Sequence, residues 1–252
     1  MPLEKIFKPL KKYKLKRLGG DGDGGYLIGE NSLKKVETLI SFGINDDWRF
    51  EKEFKACNIN SKIQCYDDKP ILKYLIHKFF SEIIFLPYHR RSYFIKYFKN
   101  IFEFLKIRKK INFVQKKIFY GDLNLILAGI KNDNIFLKID IEGSEYRILN
   151  EIIENQKRII GMVIEFHDID YHRNKIIDFC KRLDLKLIHI HPNNFGPKDK
   201  NGDPTIIELT FEKNPILEEI QKKGEDDDVI FPHKLDMKNY PLGKDIDLIF
   251  ET

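Results

Sequence analysis

The sequence predicts an α/β fold with a mostly parallel central sheet, and three observations carry this prediction. Short runs of β-branched and aromatic residues alternate with amphipathic helical patterns along most of the chain. Several of these runs stop at polar residues, as strands do where an open α/β sheet meets its ligand. The last two runs are joined by a short polar loop without a helix, which favours an antiparallel pair.

The strands can be placed one by one along the chain. They are predicted at residues 36–43, 62–67, 115–120, 135–140, 159–168, 185–191 and 205–211. A helical stretch at 49–57 follows the first strand, and further helical patterns follow later ones, as in a parallel sheet covered on both faces. The length of 252 residues favours a single domain, 1–252, that includes a C-terminal extension at 213–252.

The strongest local signal is the end of the fourth strand. That apolar run stops at Asp140, Glu142 follows two residues later, and Gly143 then allows the backbone a tight turn into a helical pattern. Carboxylates at this position point to a functional site. The alternative is that Asp140 merely ends a strand and that Ser144 or Glu145 caps the next helix. The polar ends of the other strands favour the functional interpretation.

Two strings resemble motifs of a known family. The segment from Leu137 to Glu145 resembles the hallmark of the FkbM-type S-adenosylmethionine-dependent methyltransferases, and Asp23-Gly24-Gly25-Tyr26 resembles their lead-in element. The resemblance spans roughly residues 15 to 213. It implies the class I methyltransferase fold, a Rossmann-like seven-stranded mostly parallel sheet, here with a helical insertion after the second strand. It also implies S-adenosyl-L-methionine as the methyl donor and Tyr26 as a substrate-binding residue.

The loop after the first strand is the expected cofactor cradle, formed by Phe42, Gly43 and Asn45. It departs from the glycine-rich pattern of the fold, because it has a single glycine and no acid opens it. Gly43 still permits close backbone approach, and asparagine tolerates the left-handed conformation. No Gly-x-Gly-x-x-Gly string follows any predicted strand, which disfavours a dinucleotide-binding dehydrogenase.

Three acids are predicted to contact the cofactor. Asp67 ends the second strand, where an acid accepts hydrogen bonds from ribose hydroxyls in Rossmann-like folds, and its neighbour Asp68 is the alternative. Asp122 follows the third strand, where the resemblance implies binding of the adenine amino group; a helix cap is its ordinary alternative. Asp140 is the third acid.

Transfer of a methyl group to a hydroxyl requires an aligned nucleophile and removal of its proton. His167 is the first choice of base, since an unperturbed imidazole titrates near neutral pH. Glu142 is the alternative base, and Asp140 is the third catalytic candidate. A divalent cation, Mg²⁺ or Mn²⁺, could assist instead, held by Asp140, His167 and Asp168, with Glu165 and His191 as further possible ligands.

The acceptor that the resemblance implies is a sugar hydroxyl, of a nucleotide-activated sugar or a surface-glycan precursor. His191 ends the sixth strand, Asn193 and Asn194 follow it, and all three could hydrogen-bond a polyhydroxylated substrate. The composition, rich in lysine, isoleucine and phenylalanine, is compatible with an AT-rich bacterial genome and with capsule or surface polysaccharide biosynthesis. An N-methyltransferase acting on a small amide or amine, and a non-catalytic nucleotide-sugar-binding module, remain open alternatives.

Residues 70–114 form a basic, aromatic insertion, predicted as a helical hairpin with Pro87 near its turn. The stretch 69–117 carries a net charge of +11, while the whole chain carries +5. Arg90 and Arg91 could bind a phosphate-bearing substrate. Alternatively the insertion contacts an anionic membrane surface, mediates a homodimer, or only packs on the domain. Nucleic acid is disfavoured, because the positive charge is confined to this insertion.

The three cysteines, Cys57, Cys65 and Cys180, are odd in number and far apart in sequence. A disulfide framework or a zinc-finger spacing is therefore not expected, which favours a reducing cytoplasm. The sequence shows no apolar run of membrane-spanning length and no signal-like N-terminus. We accordingly predict a cytoplasmic enzyme with a small-molecule substrate.

Overall fold

The computed structural model describes residues 2–84, 91–219 and 229–251, without the side chains of 83–84 and 91–94. Its strands are β1 (Leu15–Leu18), β2 (Tyr26–Gly29), β3 (Thr38–Phe42), β4 (Lys62–Asp67), β5 (Asn112–Gln115), β6 (Ile135–Ile139), β7 (Ile159–Phe166), β8 (Lys186–Pro192) and β9 (Ile207–Glu212). Its α-helices are α1 (Glu30–Lys35), α2 (Arg49–Cys57), α3 (Ile71–Ile84), α4 (Arg91–Ile107), α5 (Asp122–Ala128), α6 (Leu149–Asn155) and α7 (Ile169–Arg182).

The main sheet has the strand order β5-β4-β3-β6-β7-β9-β8. Its first five strands pair in parallel, and β9 runs antiparallel between β7 and β8. Chain order reverses at β3, so the carboxyl ends of β3 and β6 diverge there into a crevice. The predicted α/β fold of the class I methyltransferase type is confirmed.

The sequences of the central strands are continuously apolar because helices cover both faces of the sheet and bury the side chains on each face. In β6, Leu137 and Ile139 pack with α5, α6 and α7, whereas Phe136 packs on the opposite face with α1, α2 and the α3–α4 pair. Lys138 shares the side of Phe136 by strand alternation and is only 5% exposed. A charged side chain is therefore built into the core just before the end of β6.

The insertion consists of two helices, α3 and α4, which lie between β4 and β5 and pack against each other. This matches the predicted hairpin, and its proposed turn at Pro87 falls outside the described residues. Leu75 of α3 and Phe104 of α4 are buried and attach the pair to the core. The insertion therefore packs on the domain through one face.

Two strand predictions need correction. The sequence pattern predicts the third parallel strand at 115–120, but β5 covers Asn112–Gln115, where Phe113 and Val114 pair with β4. Residues 116–119 form instead a loop at the edge of the crevice, since their two lysines suit solvent better than a sheet. The pattern also does not predict the antiparallel β1–β2 pair. Its strands have four residues each, too short to show a clear alternation.

Within the described part of the chain, no helix combines the length and apolar content that crossing a bilayer requires.

Candidate active site

A cavity of about 440 Å³ opens beyond the carboxyl ends of β3, β4 and β6. This volume is in the range of small-molecule binding sites. Its walls are formed by the loops that follow these strands and by the glycine-rich loop before β2. Charged residues dominate the lining, among them Asp23, Asp47, Arg49, Glu51, Asp67, Lys69, Lys116, Lys138, Asp140 and Glu142.

Gly43 brings the β3 loop into contact with the end of β6. It has φ of 73°, and a Cβ atom there would lie 1.5 Å from the carbonyl oxygen of Asp140. The Gly43 N–H donates to the carbonyl of Tyr66, and the Asp140 N–H donates to the carbonyl of Phe42. Phe42 itself is fully buried and does not line the cavity with its side chain. Only glycine allows this close approach.

Asp67 organises the same loop from the end of β4. One carboxylate oxygen accepts the N–H groups of Ile44 at 2.9 Å and Asn45 at 2.7 Å, and the other accepts that of Lys69 at 2.8 Å. Asn45 adopts a left-handed conformation with φ of 51°, as anticipated for an asparagine in this position. The carboxylate predicted to bind the ribose thus lies on the cavity wall and fixes the loop beside it.

The turn after β6 is held by a buried carboxylate. Glu142 and Gly143 both have positive φ, and Glu145 is fully buried beneath them. One oxygen of Glu145 accepts the N–H groups of Ile141 and Gly143 and lies 3.2 Å from Nδ1 of His167. Glu145 therefore stabilises the turn before it, and it also orients the histidine at the end of β7.

Three side chains meet at the ends of β6 and β7 in what we call the acid–histidine cluster: Asp140, Glu165 and His167. One potential ligand atom from each lies within 4.8 Å of the other two. Tyr26 is 1% exposed, and its hydroxyl lies 3.0 Å from Asp140 Oδ2 and 3.2 Å from Glu165 Oε2. It has one proton to donate, so it cannot donate to both carboxylates at once. Tyr26 thus supports the cluster from its buried side.

The cluster concentrates charge where water is scarce. Burial raises the pKa of Glu165 well above its usual range, and the charges of Asp140 and Glu208 add to this. Lys138 donates to the carbonyl of Gly43 at 2.6 Å and lies 3.4 Å from Asp140. Burial lowers the pKa of Lys138, but the surrounding carboxylates, led by Asp140, outweigh burial and raise it. The lysine therefore stays cationic and partly neutralises the cluster.

His167 lies among carboxylates that raise its pKa. Burial lowers its pKa, but the hydrogen bond and charge of Glu145, with Asp140 and Glu142, outweigh burial and raise it. Its Nε2 lies 3.5 Å from carboxylate oxygens of both Glu142 and Glu165. Among these acids the ring favours a proton, or a cation in the proton's place. A protonated imidazole cannot accept a proton, so His167 can act as a base only in its neutral form.

Other predicted residues lie apart from the cluster or at its edge. Asp122 begins α5 and accepts hydrogen bonds from Lys116 and from the N–H of Phe119, without lining the cavity. Asp168 is exposed, has φ of 51° and is not part of the three-residue cluster. Glu142 is largely exposed above the histidine. The adenine-binding role of Asp122 stays a prediction.

The substrate-binding residues predicted around the end of β8 are engaged largely by the chain itself. Nε2 of His191 lies 3.0 Å from Asn239, and Asn194 bonds the backbone of Tyr240, so both contact the C-terminal segment 229–251. Asn193 is buried and donates to Glu165 at 3.0 Å. Asn193 therefore supports the cluster, whereas His191 and Asn194 attach the C-terminal segment to the sheet.

The predicted phosphate-binding pair cannot be placed. Arg90 falls outside the described residues, and Arg91 begins α4 without a described side chain. Their role stays a prediction.

Sequence reasoning assigns no role to two buried charges that shape the site, Lys138 and Glu51. Glu51 accepts a hydrogen bond from Ser41 at 2.5 Å, and burial raises its pKa. The lysine leaves a signal in the sequence, a single cation inside a run of apolar strand residues. Glu51 leaves none, because an acid in a nine-residue amphipathic helix ordinarily faces solvent.

No protein-family model matches this sequence, and no curated protein matches it. Some solved structures are similar to it. One is the precorrin-6y C5,15-methyltransferase of Geobacter metallireducens, with 13% sequence identity and a TM-score of 0.41. The match covers 73% of this chain and 85% of that chain. The Aeropyrum pernix fibrillarin with bound S-adenosyl-L-methionine shares 10% identity over 71% of this chain and 68% of that chain, with a TM-score of 0.40. The class I methyltransferase fold of this chain is given by its own strand order, with β9 antiparallel.

Proposed function

We propose that this protein is an S-adenosylmethionine-dependent O-methyltransferase that acts on a sugar hydroxyl. One observation carries the proposal: the cavity rimmed by Gly43 and Asp67 adjoins the acid–histidine cluster, since Asp140 belongs to both. A site for the methyl donor and groups able to handle a proton therefore share one crevice.

The residues of the crevice fit S-adenosylmethionine. Gly43 leaves the space that a Cβ would fill, and the Asp67 carboxylate has acceptor capacity beyond its three backbone partners. The several acids in the lining suit a ligand that carries a sulfonium and an ammonium group. Asp67 would bind the ribose and the 43–45 loop would border the donor. The cofactor, when bound, supplies an electrophilic methyl group.

The chain's own residues then have distinct tasks. Asp140 and His167 lie where an acceptor hydroxyl could transfer its proton, and either must be deprotonated to receive it. Glu145 orients the imidazole, while Tyr26 and Lys138 hold Asp140 in place. The rear of the cluster is buried, which strengthens each of these electrostatic interactions.

We further propose that a divalent cation, Mg²⁺ or Mn²⁺, occupies the cluster during turnover. Two carboxylates and one imidazole make a donor set that suits either ion. A cation among them would take the place of the protons that Glu165 and His167 favour in its absence. Asp140, Glu165 and His167 would be the ligands, whereas Asp168 and His191, also expected from the sequence, lie outside this set.

The cation can be tested without an activity assay. Mn²⁺ binding followed by electron paramagnetic resonance should show a site that Glu165→Gln weakens by at least about tenfold, because a charged ligand is lost. Asp168→Asn, which changes a nearby acid outside the cluster, should leave that affinity unchanged. Equal Mn²⁺ affinity in the wild type and both variants would disprove the cluster as the metal site.

The sugar acceptor is inferred from the resemblance of residues 137–145 to the FkbM-type motif and from the polar cluster beside the cavity. The test is incubation of purified protein with methyl-labelled cofactor and a panel of nucleotide sugars, followed by mass spectrometry. A product with a methylated hydroxyl, absent with Asp140→Asn, is the expected result. A methylated amide or amine would replace the O-methyl proposal with N-methylation. Absence of transfer, with cofactor binding intact, would favour a non-catalytic module.

A further inference from the structure

The α3–α4 hairpin has a large apolar face turned away from the core. Leu75 and Phe104 mark the buried side. On the outer side, six large apolar side chains are each between 38% and 58% exposed. This apolar face consists of Ile76, Phe80, Ile95, Phe98, Phe102 and Leu105. The four members on α4, Ile95 to Leu105, are spaced at positions i, i+3, i+7 and i+10, so they lie on one side of that helix.

The apolar face is continuous across the two helices. The ring of Phe79 lies 5.6 Å from that of Phe80 on the same helix and 5.8 Å from that of Phe98 on α4. Phe98 in turn contacts Phe102 at 4.8 Å. Contiguous exposed apolar surface of this kind marks an interaction site, whereas isolated exposed residues do not.

Positive charge borders this face. Lys99 and Lys106 each follow an exposed apolar residue on α4, which places both along one flank of the stripe, and Lys73 lies on the exposed side of α3. The stretch 69–117 carries +11 within a chain whose total is +5, so the rest of the protein is acidic. An anionic partner would therefore be attracted to the hairpin and repelled elsewhere.

We propose that the α3–α4 hairpin docks the protein on an anionic bilayer surface. Both helices would lie in the plane of the interface, with the apolar face in the headgroup–acyl boundary and the lysines against lipid phosphates. Apolar insertion and electrostatic attraction are the two contributions that such helices combine, and this hairpin has both.

Two other occupants fit the observations less well. A second copy of this chain would bring together two hairpins that each carry a net charge of +5 over residues 71–107, and like charges across an interface oppose association. A nucleic acid would match the charge and could stack on the phenylalanines. A nucleic acid offers no aliphatic surface against which Ile76, Ile95 and Leu105 could pack. These aliphatic side chains gain most from a lipid environment.

The docking site lies close to the proposed active site. Helix α3 begins at Ile71, four residues after Asp67, so the hairpin starts at the rim of the cavity. A docked protein would hold the crevice near the membrane surface. The docking itself does not depend on the reaction that the crevice performs.

The test is co-sedimentation of the full chain with vesicles. Binding is expected to vesicles of equal parts phosphatidylcholine and phosphatidylglycerol, to weaken as salt is raised, and to be much weaker with phosphatidylcholine alone. Phe98→Ser with Phe102→Ser should reduce binding by about tenfold or more through loss of apolar insertion. Lys99→Glu with Lys106→Glu should reduce it similarly, through loss of attraction and added repulsion.

Matched controls use exposed residues far from the hairpin. Leu125→Ser on α5, and Lys181→Glu with Lys186→Glu, should leave vesicle binding unchanged, while circular dichroism confirms that every variant is folded. Failure of the wild type to bind anionic vesicles would overturn the proposal. The proposal would also be overturned if Phe98→Ser with Phe102→Ser left vesicle binding intact but abolished a concentration-dependent dimer or the binding of single-stranded RNA.

Discussion

The buried carboxylate of Glu145 lies 3.2 Å from Nδ1 of His167. The two residues are 22 positions apart in sequence and come from the turn after β6 and the end of β7. This contact joins the most distinctive motif of the chain to the histidine of the cluster. It also explains why the pKa of His167 is raised although the ring is largely buried.

Removing the charge of Glu145 should therefore change the titration of His167. In Glu145→Gln we expect the pKa of His167 to fall, because burial then opposes the charged imidazole with less compensation. The proton resonances of the imidazole, followed by NMR against pH, provide the measurement. Glu151→Gln is the matched control, since Glu151 is equally buried and also bonds backbone N–H groups, but away from the cluster. An unchanged His167 titration in Glu145→Gln would contradict the assignment.

Gly43 allows a test of the close approach between the β3 loop and β6. Gly43→Ala should lower the free energy of unfolding by about 3 kcal/mol or more. The alanine would have to adopt a left-handed conformation, and its Cβ would clash with the backbone of Asp140. Gly202 also has a positive φ, of 88°, but a Cβ atom there would meet no described atom within 4 Å. Gly202→Ala should therefore cost only about 1 kcal/mol, the backbone contribution alone. Denaturant titrations that gave equal losses for both variants would refute the clash.

The C-terminal segment is attached through a buried ion pair. Asp236 lies 2.9 Å from Nε2 of His189 and 3.6 Å from Nδ1 of His191. Burial lowers the pKa of His191, but Asp236 and Glu208 outweigh burial and raise it to about 9. Burial raises the pKa of Asp236, but the two histidines hold it well below its usual range. The segment and the sheet therefore bind most tightly while Asp236 and His191 are both charged.

The pH dependence of stability follows from these directions. A raised histidine pKa stabilises the fold below the unfolded pKa of about 6.5, and this contribution is lost as pH rises through about 9. Burial raises the pKa of Glu208 to about 7, so its contribution to stability is also lost as the pH rises, here through about 7. The depressed pKa of Asp236 instead contributes above about pH 4 and is lost in acid.

We therefore expect the melting temperature to fall by several degrees between about pH 6.5 and pH 9.5. Asp236→Asn should flatten this decline, since the raised pKa of His191 depends on that carboxylate. Asp247→Asn, an exposed acid on the same segment, should leave the pH profile unchanged. Scanning calorimetry over this range would measure the melting temperature against pH. Identical profiles for Asp236→Asn and the wild type would show that the Asp236–His191 pair contributes nothing to the pH dependence of stability.

Much of the fold could be predicted because its signals are local. The apolar run before Asp140 and the acid that ends β4 both lie at strand ends, where pattern and position agree. The third strand is misplaced by the pattern because 112–115 alternates weakly and the following residues look equally extended. In β5, pairing with Cys65 and Tyr66 decides the register, and that information lies almost fifty residues upstream.

The candidate site was less predictable, because its contacts are formed between distant segments. Asp140 and His167 could be proposed from strand ends, but the Tyr26 hydroxyl reaches Asp140 and Glu165 across more than a hundred residues of sequence. His191 looks available for substrate in the sequence, yet Asn239, 48 positions away, bonds it. A polar residue at a strand end can serve a ligand or another part of the chain, and the local pattern is the same for both.

The central claim is that the crevice beyond β3, β4 and β6 binds S-adenosylmethionine with Asp67 as its ribose acceptor. Isothermal titration calorimetry of the wild type, Asp67→Asn and the neighbouring Asp68→Asn tests it most directly. We expect the wild type to bind the cofactor, Asp67→Asn to bind at least about tenfold more weakly, and Asp68→Asn to match the wild type. No binding by folded wild-type protein would contradict the account, and equal affinity in all three proteins would remove Asp67 from the site.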